Sequence, residues 1–305
     1  MIHLNALRYR LIHIHRCRGI TRRTIHKFLT LDPTLRDIYT LSPTQLSQRF
    51  LISMKHAQLF ISDLHCEDRK TQLKKDLYTY DLMTIVDSDY PSVLKRINDP
   101  PLVLYMAGDR QLLQHTPVLS VIGTRHPSSE AIQKMNYILP PLLNDNWLIV
   151  SGMAKGIDSY AHQITLRNKR YTIAVLGGGF HHIYPRQNNP LFKQITEQGL
   201  VISEYPPHIP PKRYHFPERN RIISGLSFGT LVIEATERSG TLITVDQALD
   251  QGREVYAVPG SPLIPQTKGC HQMIQDGAKL VINADDIRED WKSIGRHLFY
   301  LSDHS

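Results

Sequence analysis

From residue 80 the chain alternates short apolar runs, several of them ending in glycine, with stretches of helical periodicity, and this alternation limits the folds open to it. Pro100–Gly108, Val118–Gly123, Trp147–Gly152, Tyr171–Gly177, Leu200–Ser203, Gly229–Glu234 and Glu254–Pro259 read as strands. Between them, Ser129–Leu143, Ile157–Asn168, Pro190–Gln198, Thr241–Gln251 and Cys270–Asp276 read as helices. Apolar strands separated by helices predict a mostly parallel sheet covered on both faces, a doubly wound α/β domain. Ligands of such a domain bind outside the carboxyl ends of its strands.

The first 65 residues have a different texture. Leu11, Ile14, Ile20, Ile25, Phe28 and Leu29 recur at roughly helical spacing, and Gly19 marks a turn between two helices. Ser42 and Pro43 are placed as cap and first residue of another helix. The expected organisation is a helical domain over 1–65, a charged linker or exposed helix end over 66–79, the α/β domain over 80–285, and a short tail over 286–305.

Charge is unevenly distributed. Residues 1–75 carry 14 Lys and Arg against 5 Asp and Glu, a balance of +9 in a chain whose net charge is +8. A basic appendage suits a polyanion, because neutralised phosphates release counterions; a solvated helical face is the plainer alternative. Cys17, Cys66 and Cys270 are far apart and form no disulfide framework and no CxxC pair. His181 and His182 are adjacent, with no third ligand fixed by spacing, so no metal is expected. No secretory leader and no membrane span is read from the short apolar runs, and a reducing cytoplasm is the expected location.

Several glycine-containing loops follow the strands: Gly123-Thr124-Arg125, Ser151–Asp158 with Gly152 and Lys155, Gly177–Gly179, and Arg238-Ser239-Gly240-Thr241 at a helix start. Glycines serve sharp turns, and they also let backbone N–H groups approach a phosphate. Neither the dinucleotide fingerprint nor a P-loop is present. The run Phe216–Gly225 places Arg219, Asn220 and Arg221 beside an aromatic residue, a set fit for phosphate contact and base stacking. Its arginines are equally fit to pair with Glu204 or Glu234. Arg125 has the same two options, a phosphate or an internal carboxylate such as Asp158.

The run from Asp81 to Ile282 resembles the DprA/Smf family of DNA-processing proteins. The resemblance is carried by Val121–Arg125, by Ser151-Gly-Met-Ala-Lys-Gly-Ile-Asp-Ser-Tyr-Ala-His162, by Tyr184-Pro185 with Asn188, by Phe216–Ser227, by Ser239–Thr244, by Gly252–Gly260 and by Gly269–Ala278. It covers about two-thirds of the chain in order. Departures are His181, His271, and Thr21 in place of the second glycine of the family's helix-hairpin-helix turn.

The resemblance implies a Rossmann-like sheet with a small, degenerate helix-hairpin-helix (SAM-like) N-terminal domain. It implies a non-catalytic homodimer, without cofactor, that binds single-stranded DNA and helps load the RecA recombinase during natural transformation. Arg125, Lys155, Arg219 and Arg221 would then bind phosphates, joined by backbone N–H groups at Gly123, Gly152, Gly240 and Thr241. Phe216 or Tyr184 would stack a base, and Thr124, Asn188, Asn220 and Ser239 complete the expected DNA-binding set. A second class of function is set by a likeness of the Ser239-Gly240-Thr241 helix start to nucleotide phosphoribohydrolases, although Leu242-Ile243-Thr244 supplies no glutamate there.

Overall fold

The structure, a computed structural model, describes residues 6–295. The chain divides into two compact units. One holds the described part of 1–90 together with Asp99–Tyr105; the other holds Pro91–Asn98 and the chain from Met106 onward.

The first unit contains helices α1 (Ala6–His15), α2 (Arg22–Leu31), α3 (Pro43–Phe50), α4 (Met54–Leu64) and α5 (Glu67–Thr79), then strand β1 (Asp81–Thr84) and the start of β2 (Val103–Gly108). Ser42 caps α3 as its spelling predicts: its hydroxyl accepts the Gln45 N–H at 3.3 Å, and the Gln45 side chain returns the bond at 2.9 Å. Thr21 caps α2 in an extended conformation (φ −112°) and accepts the Thr24 N–H. A hydroxyl cap therefore stands where the helix-hairpin-helix family has glycine.

Within residues 66–79, read as a charged linker or exposed helix end, Glu67–Thr79 is the helix α5, which buries Leu73 and Asp76. The unit is also not all-helical, since it takes in β1 and the start of β2, and its arginines are tied to acids further along the chain. Arg8 bonds Asp87 at 2.9 Å and the Leu82 carbonyl. Arg16 bonds Asp76 at 2.6 Å and the Tyr105 hydroxyl at 3.2 Å, and Arg22 pairs with Asp99 at 2.9 Å.

The second unit begins with a short helix, α6 (Ser92–Lys95). It then runs β3 (Val118–Ile122), α7 (Ala131–Asn144), β4 (Leu148–Ser151), α8 (Ile157–Arg167), β5 (Thr172–Leu176), α9 (Asn189–Gln198), β6 (Leu200–Ser203), α10 (His215–Gly225), β7 (Gly229–Val232), α11 (Thr241–Asp250), β8 (Glu254–Ala257), α12 (Lys268–Gln275), β9 (Lys279–Leu280) and α13 (Asp285–Asp290). Its strands lie in the order β6-β5-β4-β3-β7-β8-β9. All the neighbouring pairs are parallel, with Leu119 opposite both Ile149 and Gly229. The expected doubly wound, Rossmann-like sheet is what the chain forms.

The order also contains a reversal. From β3 the chain steps through β4, β5 and β6 to one side, then returns to place β7, β8 and β9 on the other. The crevice between the ends of β3 and β7 is therefore the topological switch point, where open α/β sheets bind ligands.

One face of the sheet is sealed by α7, α8 and α13, whose Met135, Leu139, Ala161 and Ile287 meet Leu119, Ile149 and Leu231 in a single apolar cluster. Helices α10 and α11 pack on each other and over β5, β7 and β8. The expected tail at 286–305 is in part core: Ile287 is fully buried, and Trp291 meets Trp147 edge-on at 5.8 Å. Residues 296–305 of that tail lie outside the described residues. Among the described residues no helix is long and apolar enough to cross a membrane.

Candidate nucleic-acid interface

A cleft of ≈ 730 Å³ opens at the switch point. Three chain segments build it. The turn after β3 brings Gly123, Thr124, Arg125 and His126; the start of α11 brings Ser239, Gly240 and Thr241; the segment leading into α10 brings Pro211, Lys212, Arg213 and Phe216, with Arg219 and Asn220 one turn later. Tyr184 and Asp158 also line it.

Arg125 is exposed and reaches over the Phe216 ring, 5.9 Å from its centroid. Among the described residues it forms no ion pair with Asp158. Its turn is fixed from beneath. The Thr124 N–H donates to the Glu234 carbonyl at 2.8 Å, and the Thr124 carbonyl accepts the Ile157 N–H at 3.3 Å. The exposed Tyr184 ring stands 5.6 Å from Phe216, so two aromatic faces share one wall.

At the start of α11 the Ser239 hydroxyl donates to Thr241 Oγ1 at 2.8 Å and accepts the Thr241 N–H at 3.1 Å. The Thr241 N–H expected for a phosphate is thus already engaged with a side chain. The Gly240 N–H has no acceptor among the described residues, and nothing lies within 4 Å of where its Cβ would be.

Other expected contacts point inward. Arg219 is 5 % exposed, and its Nη1 donates to the carbonyls of Gly152, at 2.6 Å, and Val175. Arg221 grips both carboxylate oxygens of Glu204 at 2.8 Å, both side chains being buried. For Arg221 the internal-carboxylate option wins, because α10 buries this face over the sheet.

The Gly152 N–H, expected to face a phosphate, donates to Asp158 at 3.1 Å, and the Ala154 N–H bonds the same oxygen at 3.4 Å. Asn188 is buried and donates to the Met153 carbonyl and the Ser159 hydroxyl. The loop 151–158 is therefore knotted around its own polar groups. Lys155 is exposed on this loop and does not line the cleft.

The Gly177–Gly179 run also differs from its reading as a phosphate loop. A Cβ at Gly179 would lie 2.1 Å from the Pro206 carbonyl, and one at Gly177 would lie 2.9 Å from Phe216. These glycines let the segment around Pro206–Pro211 and the Phe216 ring close onto the strand end. That segment delivers Lys212 and Arg213, two exposed cleft cations that the loop-by-loop reading passes over. Their signal was a basic pair directly after two prolines and two residues ahead of the Phe216 run.

Beneath the cleft, burial pushes the Asp158 carboxyl above the ordinary carboxylate range, against the opposing charge of Arg219. Burial lowers the Arg219 guanidinium to about 10, and Asp158 opposes that shift. The floor therefore holds a buried carboxyl and a buried guanidinium, while the exposed rim is cationic.

A family model described as DNA recombination-mediator protein A matches residues 81–292. The DNA processing protein DprA of Bacillus subtilis (strain 168) is 46 % identical over 206 residues, covering 68 % of this chain and 69 % of that protein. The X-ray structure of DNA processing protein A from Streptococcus pneumoniae superposes with a TM-score of 0.82 at 35 % identity, covering 94 % of this chain and 98 % of that one. A structure of DNA processing protein A from Helicobacter pylori, described for its single-stranded DNA binding mode, superposes with a TM-score of 0.63 at 26 % identity, covering 70 % and 96 % of the two chains.

Proposed function

This chain belongs to the DNA recombination-mediator protein A family, and from that premise we propose that it binds single-stranded DNA in the switch-point cleft. The observation that carries the proposal is the convergence, on one cleft, of the exposed cations Arg125, Lys212 and Arg213 with two aromatic rings, the half-buried Phe216 and the exposed Tyr184. Backbone-tracking cations combined with stacking platforms are what sequence-tolerant single-strand binding requires. Thr124, Asn220 and the Ser239–Thr241 helix start add neutral donors. Lys155 meets the strand outside the cleft. Arg219, Arg221, Asn188 and Gly152 act beneath the surface, holding the loops that present these groups.

The protein then works by positioning rather than by bond chemistry. In this account it is a cytoplasmic homodimer that shields single strands and helps load the RecA recombinase. A phosphoribohydrolase needs a carboxylate free to act at the sugar. Asp158, the acidic residue lining the cleft, is buried and accepts two N–H groups of its own loop, which favours binding over hydrolysis.

Anisotropy titrations of labelled oligothymidine and of a duplex of equal length, at two salt concentrations, test the proposal. Single strands bind tighter, with a log–log salt slope of about −0.7 per phosphate contacted. Equal affinity for the duplex, or no salt dependence, overturns it. Stimulation of RecA filament formation on single-stranded DNA tests the loading step separately.

A further inference from the structure

The volume of the cleft, ≈ 730 Å³, falls within the roughly 300–1,000 Å³ of small-molecule sites. Within it are the parts that one nucleotide needs. Phe216 and Tyr184 offer aromatic faces to a base. The start of the ten-residue helix α11 offers the uncommitted Gly240 N–H and the Thr241 hydroxyl, whose proton is not used by Ser239, to a phosphate. Arg125 supplies a charge beside both, since its guanidinium lies over the Phe216 ring and its turn lines the same cleft as α11.

A second observation at the floor points the same way. Arg219 lines the cleft, is 5 % exposed, and its Nε has no hydrogen-bond partner among the described residues. A buried cationic donor left unsatisfied is costly, and an anion seated above it relieves that cost.

We propose that the cleft takes a free nucleoside 5′-monophosphate as a ligand in its own right, with the phosphate at the start of α11 and the base against Phe216. The proposal rests on this cleft being the single-strand site, and it deepens that assignment by naming the unit bound.

A monophosphate fits better than either neighbouring class. A phosphate monoester carries a charge of about −1.5 to −2 at neutral pH, more than the single charge of a phosphodiester within a strand, so the helix start and Arg125 hold it more strongly. A triphosphate normally arrives with Mg²⁺, which is held through carboxylates and waters. Asp158, the carboxylate available, is buried under its own loop. Nucleases that leave a 5′-phosphate release this ligand, so strand degradation would produce a competitor for the protein's own DNA site.

The test uses the full chain and two readouts, displacement of labelled oligothymidine and the shift of Tm on adding ligand. Thymidine 5′-monophosphate at millimolar concentration is expected to displace the oligomer competitively and to raise Tm, as any ligand selective for the folded state does. Thymidine and inorganic phosphate, as separate probes, should each need at least about tenfold more for the same effect, and Arg125→Ala should weaken the monophosphate by about tenfold.

If the monophosphate leaves both readouts unchanged while the oligomer binds, the ligand proposal is overturned and the single-strand assignment stands. If inorganic phosphate performs as well as the nucleotide, the base plays no part and the proposal is likewise overturned. A Tm shift specific to the nucleotide, in a protein that fails to bind the oligomer, would uphold the ligand and overturn the DNA assignment instead.

Discussion

The Arg219 guanidinium fills the space that a side chain at position 152 would occupy. A Cβ on Gly152 would lie 2.2 Å from Arg219 Nη1, the same atom that donates to the Gly152 carbonyl at 2.6 Å. Glycine at 152 and arginine at 219 are thus two halves of one contact. Through the Ile157 N–H on the Thr124 carbonyl, that contact supports the turn carrying Arg125.

Gly152→Ala is therefore expected to cost about 1–3 kcal/mol, as overpacking does, and to weaken single-strand binding by more than the loss of folded protein accounts for. Thermal melting and DNA titration on the same variant check this. Unchanged Tm and unchanged affinity would show that the loop yields freely and that Arg219 does not constrain it.

Arg221 separates burial from DNA contact. Arg221→Met removes the guanidinium that grips the buried Glu204 carboxylate, and breaking such a pair costs about 3–5 kcal/mol. The denaturant midpoint should fall, while the salt slope of DNA binding by the folded protein stays that of the parent. A shallower slope with undiminished stability would return Arg221 to the phosphate-binding set.

Phe216→Ala should lose about 1–3 kcal/mol of single-strand affinity, the range for one stacked base, and Phe216→Trp should retain most of it. Competition titrations against the parent measure both. Equal affinity of the alanine variant and the parent would remove Phe216 from the stacking wall.

Stability should depend on pH through buried neutral histidines. The Thr172 hydroxyl donates to the Ile149 carbonyl, so the proton in the 2.8 Å bond to His162 belongs to His162 Nδ1. Burial lowers His162 to about 3 and His13 to about 4 from the ordinary 6.5. Between those values and about 6.5 the unfolded chain binds protons that the folded chain refuses. Their contribution is complete above about 6.5 and is lost progressively as the pH falls towards 3 to 4. Urea midpoints should rise from about pH 4 to pH 7 and then level off, and His162→Gln should flatten part of that rise. A midpoint indifferent to pH across this window would contradict the assignment.

The sheet was legible because strands buried on both faces spell near-continuous apolar runs, as Val118–Ile122 and Thr172–Leu176 do but for Ser120 and Thr172. The cleft was legible only in outline. Sequence pattern identifies loops at strand ends, but it does not say whether a polar group in a loop faces solvent or its own backbone, and Gly152, Asn188, Arg219 and Arg221 all face inward. Helix α10 shows why: the polar spelling of Phe216–Gly225 suggests surface, whereas Arg219 is buried with its Nη1 on two carbonyls and Arg221 is buried against Glu204.

The charge asymmetry misled for a related reason. The first unit, counted over 1–90 and 99–105, carries 14 basic and 10 acidic residues, a balance of +4, because Asp76, Asp81, Asp87, Asp89 and Asp99 fold back with it. Arg8, Arg16 and Arg22 are bound to three of those acids. A cut near Lys75 would sever these pairs rather than release a separate domain.

The exposed rim of the cleft, which carries Arg125, is proposed as the single-strand site. The most direct test is the affinity of Arg125→Ala for oligothymidine, with Tm recorded on the same sample. One charge-assisted hydrogen bond is worth about 1.5–3 kcal/mol, so binding should weaken by about tenfold to a hundredfold, with a shallower salt slope and an unchanged Tm. Lysine, lacking the paired donors of a guanidinium, should restore part of the loss. A lowered Tm with normal binding by the folded fraction would make Arg125 a structural residue and would move the site elsewhere.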